Sequence, residues 1–585
     1  MKRLLQFFAT LCILILPYDI FGQKVPTDWV TPFERDSSHT ATYTEGVRYY
    51  QKLAQSFPLK IKLSTFGSSD GGTPLYTAVI SAGKTFTPVS VRKAGKLVLF
   101  INNAIHPGEP EGVDATMLFV RDLLINPKNE AFLKHITVVA IPFYNVDGAL
   151  NRSATSRANQ NGPAEYGFRG NAQNLDLNRD FVKCDTRNAA AFNQVFTKWQ
   201  PDVFIDNHTS NGADYQYTMT CIATQHSKLA PQLDDYQQNG MLPQLYAAMK
   251  TAGFEMTPYV SFEGLPDNGI TGFMDASRYS TGYAALHHVL GFMPETHMLK
   301  PFPARVRGTL AFSKAIFKIC FEDKTKILNT KKAAINFYKT EKKTFELQWK
   351  LDTSQRKTLV FKGYEAKYKA SEISGLPRLW YDRNAPYEKT IPYFDFFTPS
   401  VIVQKPMAYI VPQAYQKVIE RLKWNGVTLR PLVADTMIEI ELYRINNFRS
   451  SPNPYEGHHP NNNVELGIEK KKVSYKKGDF WIEMNQKANR YIVETLEPQG
   501  VDSYFAWNFF DGILNQKEGY SDYVFEDLAA DYLKKNPLLR QKLEEKRQSD
   551  PKFAADASAQ LDFVYKNSPY FEPTFRLYPI GRVVK

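Results

Sequence analysis

The chain has 585 residues, of which 43% are hydrophobic and 23% are charged. These proportions are typical of folded soluble protein, and the length is enough for two or more domains. The formal net charge of +12 favours binding of anions, but basic and acidic residues are interspersed and no nucleic-acid-binding motif is present, so we expect no nucleic-acid partner.

The N-terminal segment MKRLLQFFATLCILILPYDIFGQ has the features of a secretory signal peptide. Lys2 and Arg3 supply the positive start, residues 4–16 the apolar core, and Gly22 a small residue at a suitable cleavage point. The apolar run is shorter than the roughly 20 residues that span a bilayer. We therefore expect a signal peptide over residues 1–22, a secreted or periplasmic protein and no stable membrane span, with an uncleaved anchor as the alternative.

Helical and strand patterns alternate between about residues 43 and 324. Helical periodicity is found in TEGVRYYQKLAQSF, GVDATMLFVRDLLI, NAAAFNQVFTKW and GMLPQLYAAMKTAG. Strand-like apolar runs lie between them, in PLYTAVISA, KLVLFINN, HITVVAIPFYN, PDVFIDNHTS and AALHHVLGFMPETHM. This alternation predicts an α/β domain over residues 23–325, with helices on both faces of a largely parallel sheet.

The composition changes after a lysine-rich helical connector over residues 326–343. β-Branched and aromatic residues alternate with polar residues in FELQWKL, TLVFKGYEAKYK, SVIVQKPMAYIVP, MIEIELYRINNF, KKVSYKKGDFWIEM and RYIVETLEP. A helical pattern returns after Tyr504. We therefore expect a C-terminal β-rich module with terminal helices over residues 344–585, in which the sequence EGHHP forms an exposed loop.

The cysteines do not indicate a disulfide framework. Cys184, Cys221 and Cys320 remain after removal of the signal peptide, an odd and widely spaced set. None lies at metal-ligand spacing from another cysteine. We expect buried free thiols, with a single disulfide as the alternative.

Polar residues stand at the ends of three predicted strands. His106 and Glu109 follow KLVLFINN, and His208 follows DVFIDN. Glu295 follows LHHVLGFMP. The carboxyl ends of strands in such a sheet can meet at one edge, and two histidines with one carboxylate are a known ligand set of catalytic zinc. Each residue alone also fits a plain structural role, and Glu111 is a competing carboxylate that we expect in solvent.

A compact polar loop, AQNLDLNRDF, contains Asn178 and Arg179. The planar guanidinium of Arg179 suits a carboxylate ligand. Helix capping by Asn178 or Asp180, with Arg179 in solvent, is the alternative.

Taken in order, these motifs resemble the zinc metallocarboxypeptidase family of the carboxypeptidase A type, over about residues 40–325. NVDG (residues 145–148) belongs to the same ordered set. The resemblance implies an α/β fold with a mixed eight-stranded sheet flanked by helices. It also implies that zinc is bound by His106, Glu109 and His208. By the same resemblance, Glu295 is the catalytic glutamate, and Asn178 and Arg179 bind the terminal carboxylate of the substrate.

Two positions depart from the family pattern. The arginine that stabilises the oxyanion has no clear match; Arg157 is the nearest candidate, and Arg152 and Arg169 are others. For the substrate-binding tyrosine, both Tyr279 and Tyr283 are available, and we favour Tyr283.

The expected function is that of an exported zinc metallocarboxypeptidase with one zinc per chain. Its partner would be a peptide or peptide-like substrate with a free C-terminal carboxylate. One alternative is a zinc amidase that acts on cell-wall peptides or acyl-amino acids. The other is a non-enzymatic binding or scaffold protein whose β-rich module recruits a partner, although the aromatic residues of YFAWNFFDG also suit a core between the two parts of the chain. The sequence leaves the oligomeric state open.

Overall fold

The structure is a computed structural model that describes residues 26–262 and 264–584. The predicted signal peptide, residues 1–22, lies outside the described residues. Among the helices that are described, none combines the length and the apolar character needed to cross a membrane.

The helices and strands are numbered here in chain order. The helices are α1 (Pro32–Arg35), α2 (Tyr43–Ser56), α3 (Pro88–Lys93), α4 (Glu111–Ile125), α5 (Asn129–Leu133), α6 (Val146–Leu150), α7 (Arg187–Trp199), α8 (Pro231–Tyr236), α9 (Leu242–Thr251), α10 (Ser280–Leu286), α11 (Phe302–Glu322), α12 (Lys324–Asn336), α13 (Gln416–Trp424), α14 (Asn489–Leu496), α15 (Asp522–Lys535), α16 (Pro537–Ser549), α17 (Pro551–Ala554) and α18 (Ala557–Lys566). The strands of the first half are β1 (Ile61–Ser68), β2 (Pro74–Ile80), β3 (Leu97–Asn102), β4 (Ile136–Ile141), β5 (Val203–Asp206), β6 (His208–Ser210), β7 (Met219–Ala223), β8 (Met256–Pro258), β9 (Ile270–Thr271) and β10 (Leu290–His297). Those of the second half are β11 (Thr344–Leu351), β12 (Lys357–Ala370), β13 (Pro377–Phe394), β14 (Phe397–Gln404), β15 (Ala408–Val411), β16 (Arg430–Pro431), β17 (Thr436–Ser450), β18 (Asn461–Tyr475), β19 (Phe480–Glu483) and β20 (Gly581–Val583).

A mixed sheet lies at the centre of the first half, with the strand order β1-β2-β4-β3-β5-β10-β7-β8. β4, β3, β5 and β10 run parallel to one another, whereas β2 and β7 are antiparallel to their inner neighbours. β6 continues β5 and also pairs with β10, so the sheet has the eight strand positions that the family resemblance implies. Every residue of β3 and β4 is buried, because both faces of the sheet are covered.

The second half is built mainly from antiparallel strands. Its largest sheet has the order β16-β19-β15-β20-β17-β18, and β11–β14 and β12–β13 form further antiparallel pairs. The first of these strands begins at Thr344, where the composition of the chain changes. α15 to α18 pack around a small hydrophobic cluster of their own.

One predicted strand is a helix. RYIVETLEP has β-branched residues, but residues 489–496 form α14, in which Tyr491, Ile492 and Val493 are all buried. Packing on several sides of a short helix outweighs β propensity here, since burial of apolar surface is worth more than the propensity difference. Arg490 and Glu494 add an ion pair across one helical turn, with Nε and Oε1 2.6 Å apart.

The two halves share one hydrophobic core. The same cluster of buried side chains includes Tyr283 from the first half and Tyr409, Tyr491 and Phe505 from the second. Polar contacts follow the same seam, since the Tyr283 hydroxyl donates to Asn425 Oδ1 at 2.6 Å. Within YFAWNFFDG, Tyr504, Phe505 and Phe510 are buried in this shared core and Phe509 packs against it.

The cysteines agree with the prediction of unpaired thiols. Cys184, Cys221 and Cys320 are all buried and free.

Candidate active site

The predicted metal ligands come together at the carboxyl edge of the central sheet. β3 and β5 are parallel neighbours, so the segments that follow them leave the sheet side by side. The result is a buried group of His106, Glu109 and His208 whose ligand atoms all lie within 4.8 Å of one another. His106 Nδ1 is 3.3 Å from Glu109 Oε1, and His208 Nδ1 is 3.1 Å from Glu109 Oε2.

The loop that carries the first two ligands has little freedom. The Glu109 amide donates to the His106 carbonyl at 2.9 Å, which closes a turn. Gly108 allows a close approach to the neighbouring chain, because a Cβ at this position would lie 2.7 Å from Arg157 Cδ. The turn and this contact together fix His106 relative to Glu109.

Each histidine is oriented by an aspartate on its far side. His106 Nε2 lies 2.9 Å from Asp176 Oδ1, and His208 Nε2 lies 2.9 Å from Asp206 Oδ2. Carboxylates in this position fix the ring and leave the other nitrogen for a metal ion. His106 Nδ1 is buried and has no hydrogen-bond partner among the described residues, so the donor set fits a zinc ion.

Glu109 is held in its ionised form by its neighbours. Arg157 Nη1 lies 2.7 Å from Oε1, and the Thr209 amide donates to Oε2 at 2.8 Å. Burial acts to raise the pKa of Glu109, but His106 and Arg157 outweigh it and keep this pKa well below its ordinary value. An ionised carboxylate is the form that binds a cation.

Glu295 lies beside the metal ligands. It is on β10, which pairs with β6 in a register that sets Glu295 opposite His208. The side chain lines the same cavity and is 8% exposed. Burial, with a contribution from the charge of Glu109, raises the pKa of Glu295 to about 8 although His208 opposes the shift. A carboxyl group with a pKa near neutrality suits proton transfer.

The cavity has a volume of about 500 Å³ and extends from the metal ligands to Asn178 and Arg179. These two residues lie in a short 3₁₀ turn, Leu177–Arg179, capped by the Asp176 side chain. The cavity also contains charged, polar and apolar side chains from several elements, namely Arg157, Arg169, Asn159, Thr209, Ser210, Ile222, Tyr259, Phe273, Tyr279, Met293 and Met298.

The structure does not bring Tyr283 to this cavity. Tyr283 is fully buried on α10, where its hydroxyl is bound to Asn425. Tyr279, at the start of α10, lines the cavity, and its ring centre is 4.5 Å from the guanidinium carbon of Arg179. The preference for Tyr283 is therefore corrected to Tyr279, because the helix turns position 283 towards the core.

The three arginines considered for stabilising the oxyanion differ in their contacts and in their access to the cavity. Arg152 donates to the Glu165 carbonyl and does not line the cavity. Arg157 lines it, but Nη1 is bound to Glu109 and Nη2 donates to the Thr209 carbonyl at 2.9 Å. Arg169 is 44% exposed, and Nε and Nη1 contact Asp176 and Glu109.

Three residues of the first half have roles that the sequence analysis missed. Glu111 is 1% exposed, not in solvent, because Arg305 Nε lies 2.6 Å from its Oε1. Asp206 and Asp176 orient the histidines; their positions in IDNH and NLDLNRD, beside the ligand and clamp residues, were the available signal.

The sequence EGHHP, predicted as an exposed loop, contacts the site. His458 Nε2 lies 2.7 Å from Asp185 Oδ2, and Glu456 Oε2 accepts from the Asp176 amide at 2.8 Å. Nothing local in the sequence indicates these contacts, since they join residues from opposite halves of the chain.

A sequence model of the family described as zinc carboxypeptidase matches residues 47–239 of the chain, which include all three residues of the metal-ligand group, Asn178 and Arg179. Residues 47–239 thus carry a zinc carboxypeptidase domain. The chain is a peptide-bond hydrolase of the metallocarboxypeptidase type. The match ends before Glu295, whose place in the site rests on the register of β10.

Curated relatives of the chain include two fungal carboxypeptidases. It is 20% identical over 426 residues to carboxypeptidase 2 of Trichophyton rubrum, covering 70% of this chain and 73% of the relative. It is also 20% identical over 453 residues to carboxypeptidase 2 of Trichophyton equinum, covering 74% of this chain and 78% of the relative.

Similar solved structures include carboxypeptidase A from Helicoverpa armigera, with a TM-score of 0.38 and 16% identity, covering 51% of this chain and 75% of the other. A metallo-carboxypeptidase from Burkholderia cenocepacia has a TM-score of 0.35 and 17% identity, covering 46% of this chain and 67% of the other.

Proposed function

We propose that this chain is an exported, zinc-dependent metallocarboxypeptidase that removes residues from the C-terminal end of peptides. The observation that carries the proposal is a single cavity that contains both a His–Glu–His ligand group and a cationic clamp at Arg179. Hydrolysis limited to the chain end needs these two features together, because the clamp sets the distance between the terminal carboxylate and the bond that is cleaved.

The zinc ligands in this proposal are His106, Glu109 and His208. Two neutral imidazoles and one carboxylate form a three-residue set that leaves a further position open. When bound, zinc polarises the scissile carbonyl and lowers the pKa of a water molecule. Asp176 and Asp206 would hold the two imidazoles in the tautomer that presents Nδ1 to the ion.

Glu295 would act as the general base and then as the general acid. Its carboxylate accepts a proton from the attacking water and later donates that proton to the nitrogen of the departing amine. Its position opposite His208, in the same cavity as the metal-ligand group, supports both steps.

The other end of the cavity would bind the substrate. Arg179 and Asn178 would hold the terminal carboxylate, with Tyr279 rather than Tyr283 as the neighbouring tyrosine. For the oxyanion we prefer Arg169 to Arg157. Arg157 uses both Nη1 and Nη2 within the protein and is 16% exposed, whereas Arg169 pairs through Nε and Nη1 and is 44% exposed.

Export is part of the proposal and rests on the signal peptide predicted over residues 1–22. Expression of the full chain in a secreting host would test it, with N-terminal sequencing of the released protein. Mature protein that begins near residue 23 is the expected result. Retention of the whole protein in the cell with an intact N-terminus would contradict export.

The decisive experiment on the chemistry compares the wild type with Glu295→Gln. We expect one zinc per chain in both proteins by metal analysis, and loss of peptide hydrolysis in the variant by a factor of at least roughly 10². Hydrolysis by Glu295→Gln at the wild-type rate would show that Glu295 is not the general base. Hydrolysis of peptides at the full rate by metal-free protein would show that the reaction does not need zinc.

A substrate panel separates the remaining alternative, a zinc amidase that acts on cell-wall peptides or acyl-amino acids. A ladder of products shortened one residue at a time from the C-terminal end of a linear peptide supports the carboxypeptidase. Cleavage of only cell-wall peptides or acyl-amino acids supports the amidase. Release of internal fragments would contradict the binding of a terminal carboxylate by Arg179, both in the carboxypeptidase and in the amidase.

A further inference from the structure

The second half of the chain contributes a rigid turn that contacts Asp176 and the cavity residue Arg179. This turn, Tyr455–Glu456–Gly457–His458, is called here the 455–458 turn and lies between β17 and β18. The Tyr455 amide donates to the His458 carbonyl at 2.7 Å, and the His458 amide donates back at 3.1 Å. Glu456 and Gly457 have φ values of 50° and 81°, which is the left-handed geometry of a tight two-residue hairpin turn.

Tyr455 and Glu456 of the turn contact the loop that carries the carboxylate clamp. Arg179 Nε donates to the Tyr455 hydroxyl at 2.9 Å. The Asp176 amide donates to Glu456 Oε2 at 2.8 Å, and Asp176 in turn orients His106. The turn therefore contacts both the clamp and the residue behind one metal ligand.

The ring of Tyr455 is held in place by residues outside the turn. The ring of Tyr455 is stacked on Trp507 with centroids 6.2 Å apart and planes 17° apart. Trp507 is fully buried, and the guanidinium carbon of Arg278 lies 4.9 Å from its ring centre. Arg278 is itself fixed by Asp502, with Nε and Oδ1 2.7 Å apart. These contacts allow the Tyr455 hydroxyl little movement.

The hydrogen bond from Arg179 to Tyr455 determines which edge of the guanidinium can bind a ligand. A carboxylate can approach the side edge, formed by Nε and Nη2, or the end, formed by Nη1 and Nη2. Tyr455 occupies Nε, and one Nη1 proton goes to the Asn178 carbonyl at 2.9 Å. No hydrogen bond within the described part of the chain uses Nη2. Asp176 Oδ2 lies 3.8 Å from Nη1, beyond hydrogen-bond distance. Nη2 and the second Nη1 proton, at the end of the guanidinium, are thus left for a carboxylate in the cavity.

We propose that Tyr455, supplied by the second half of the chain, is a positioning residue that presents the end of the Arg179 guanidinium to the C-terminal carboxylate of the substrate. The inference rests on the proposed function, because it assigns a partner to the clamp of that function. It gives the second half of the chain a part in substrate recognition without any contact to the reacting bond.

The test uses Tyr455→Phe in the full-length, zinc-loaded protein. Phenylalanine keeps the ring against Trp507 and removes only the hydroxyl group. Loss of one hydrogen bond to a charged group should raise KM for a peptide with a free C-terminal carboxylate about tenfold. The value of kcat should change by less than about twofold, because the hydroxyl does not act on the reacting bond.

Two further proteins give the experiment its control. Tyr43→Phe removes a hydroxyl that donates to the Pro74 carbonyl on the surface, and its KM should equal that of the wild type. In an Arg179→Ala background, the change Tyr455→Phe should add no further increase in KM, since its target is gone. Additive effects of the two changes would indicate a general structural role and overturn the inference.

The two possible failures are distinguishable. If Arg179→Ala raises KM and Tyr455→Phe does not, the positioning role of Tyr455 is wrong and the clamp stands. If Arg179→Ala has the KM of the wild type, the clamp of the proposed function is wrong, whatever Tyr455 does. A fall of kcat with unchanged KM in Tyr455→Phe would also overturn the inference.

Discussion

At the scale of single residues, both histidines of the site are arranged in the same way. Each has Nδ1 towards Glu109 and Nε2 against an aspartate that comes from another part of the chain or from the strand before it. The aspartates compensate for the cost of burying the rings, and they select one tautomer. A metal ion therefore meets ligands that need little rearrangement.

The two arginines at the cavity should differ in their effect on catalysis. Arg169→Ala should lower kcat by about 10²-fold, the usual loss for a donor to the developing oxyanion, with a smaller change in KM. Arg157→Ala should lower kcat less, because its main partners are Glu109 and the Thr209 carbonyl. Steady-state kinetics at measured, full zinc content would check this. A larger loss of kcat in Arg157→Ala would return the oxyanion role to that residue.

Most of the site could be predicted from single residues because strand ends and short motifs reveal them. His106, Glu109 and His208 stand directly after apolar runs, and the parallel pairing of β3 and β5 brings them together. Tyr283 was the wrong choice for the substrate-binding tyrosine. Tyr279 and Tyr283 both combine an apolar ring with a polar hydroxyl near the start of one short helix, and only the direction of the helix axis distinguishes them. Tyr455 could not be predicted, since 276 residues separate it from Arg179.

At the scale of elements, α4 begins immediately after the metal-binding loop and has an acid in its first turn. Asp114 is fully buried, and it accepts hydrogen bonds from Thr40 Oγ1 at 2.5 Å and from the Ala41 amide at 3.2 Å. Burial raises the pKa of Asp114 to about 7 although both hydrogen bonds oppose the shift. The charge of the neighbouring Glu111 acts in the same direction as burial.

This buried acid predicts a loss of stability with rising pH. Between about pH 4 and pH 7 the folded protein retains a proton that the unfolded chain has lost, so the free energy of unfolding falls across this window and stays low above it. The full decrease in the free energy of unfolding is roughly 4 kcal/mol, for a pKa raised from 3.8 to about 7. Asp114→Asn, which stays neutral, should lose less thermal stability than the wild type between about pH 5 and about pH 8. Equal shifts of the melting temperature in both proteins would contradict the prediction.

The long, strongly patterned elements were predictable because pattern and burial agree. β3 and β4 are continuous apolar runs that are buried on both sides, and α4 combines a helical pattern with burial of all its residues except Asp122 and Ile125. α14 was predicted as a strand because eight residues are too few to distinguish a buried helix from a strand by periodicity. The contacts that decide its form come from distant parts of the chain.

At the scale of the whole molecule, the change of composition at residue 344 does not mark a separate core. Removal of residues 344–585 would expose Tyr283, Ala285 and other core residues of the first half. In the full chain, Asn425 accepts from the Tyr283 hydroxyl and Arg490 donates to the Ala285 carbonyl. We therefore expect the chain truncated after Lys343 to lack cooperative thermal unfolding and peptidase activity. Calorimetry and the peptide assay would measure both.

A second deletion provides the matched control. Replacement of residues 519–571 by a short linker removes α15 to α18, whose hydrophobic cluster is their own, and Lys517 and Glu572 are in contact at the two ends. This protein should unfold cooperatively and remain active. A stable, active chain that ends at Lys343 would show that the shared core is dispensable.

The position of β20 has a consequence for the order of events during synthesis. Gly581–Val583 does not lie at an edge of its sheet but between β15 and β17, where buried Arg582 contacts Glu441 and Glu497. The sheet cannot close until the ribosome has reached Val583. If Tyr455 reaches Arg179 only from a completed sheet, the site acquires its full affinity for substrate only after β20 has been synthesised and inserted.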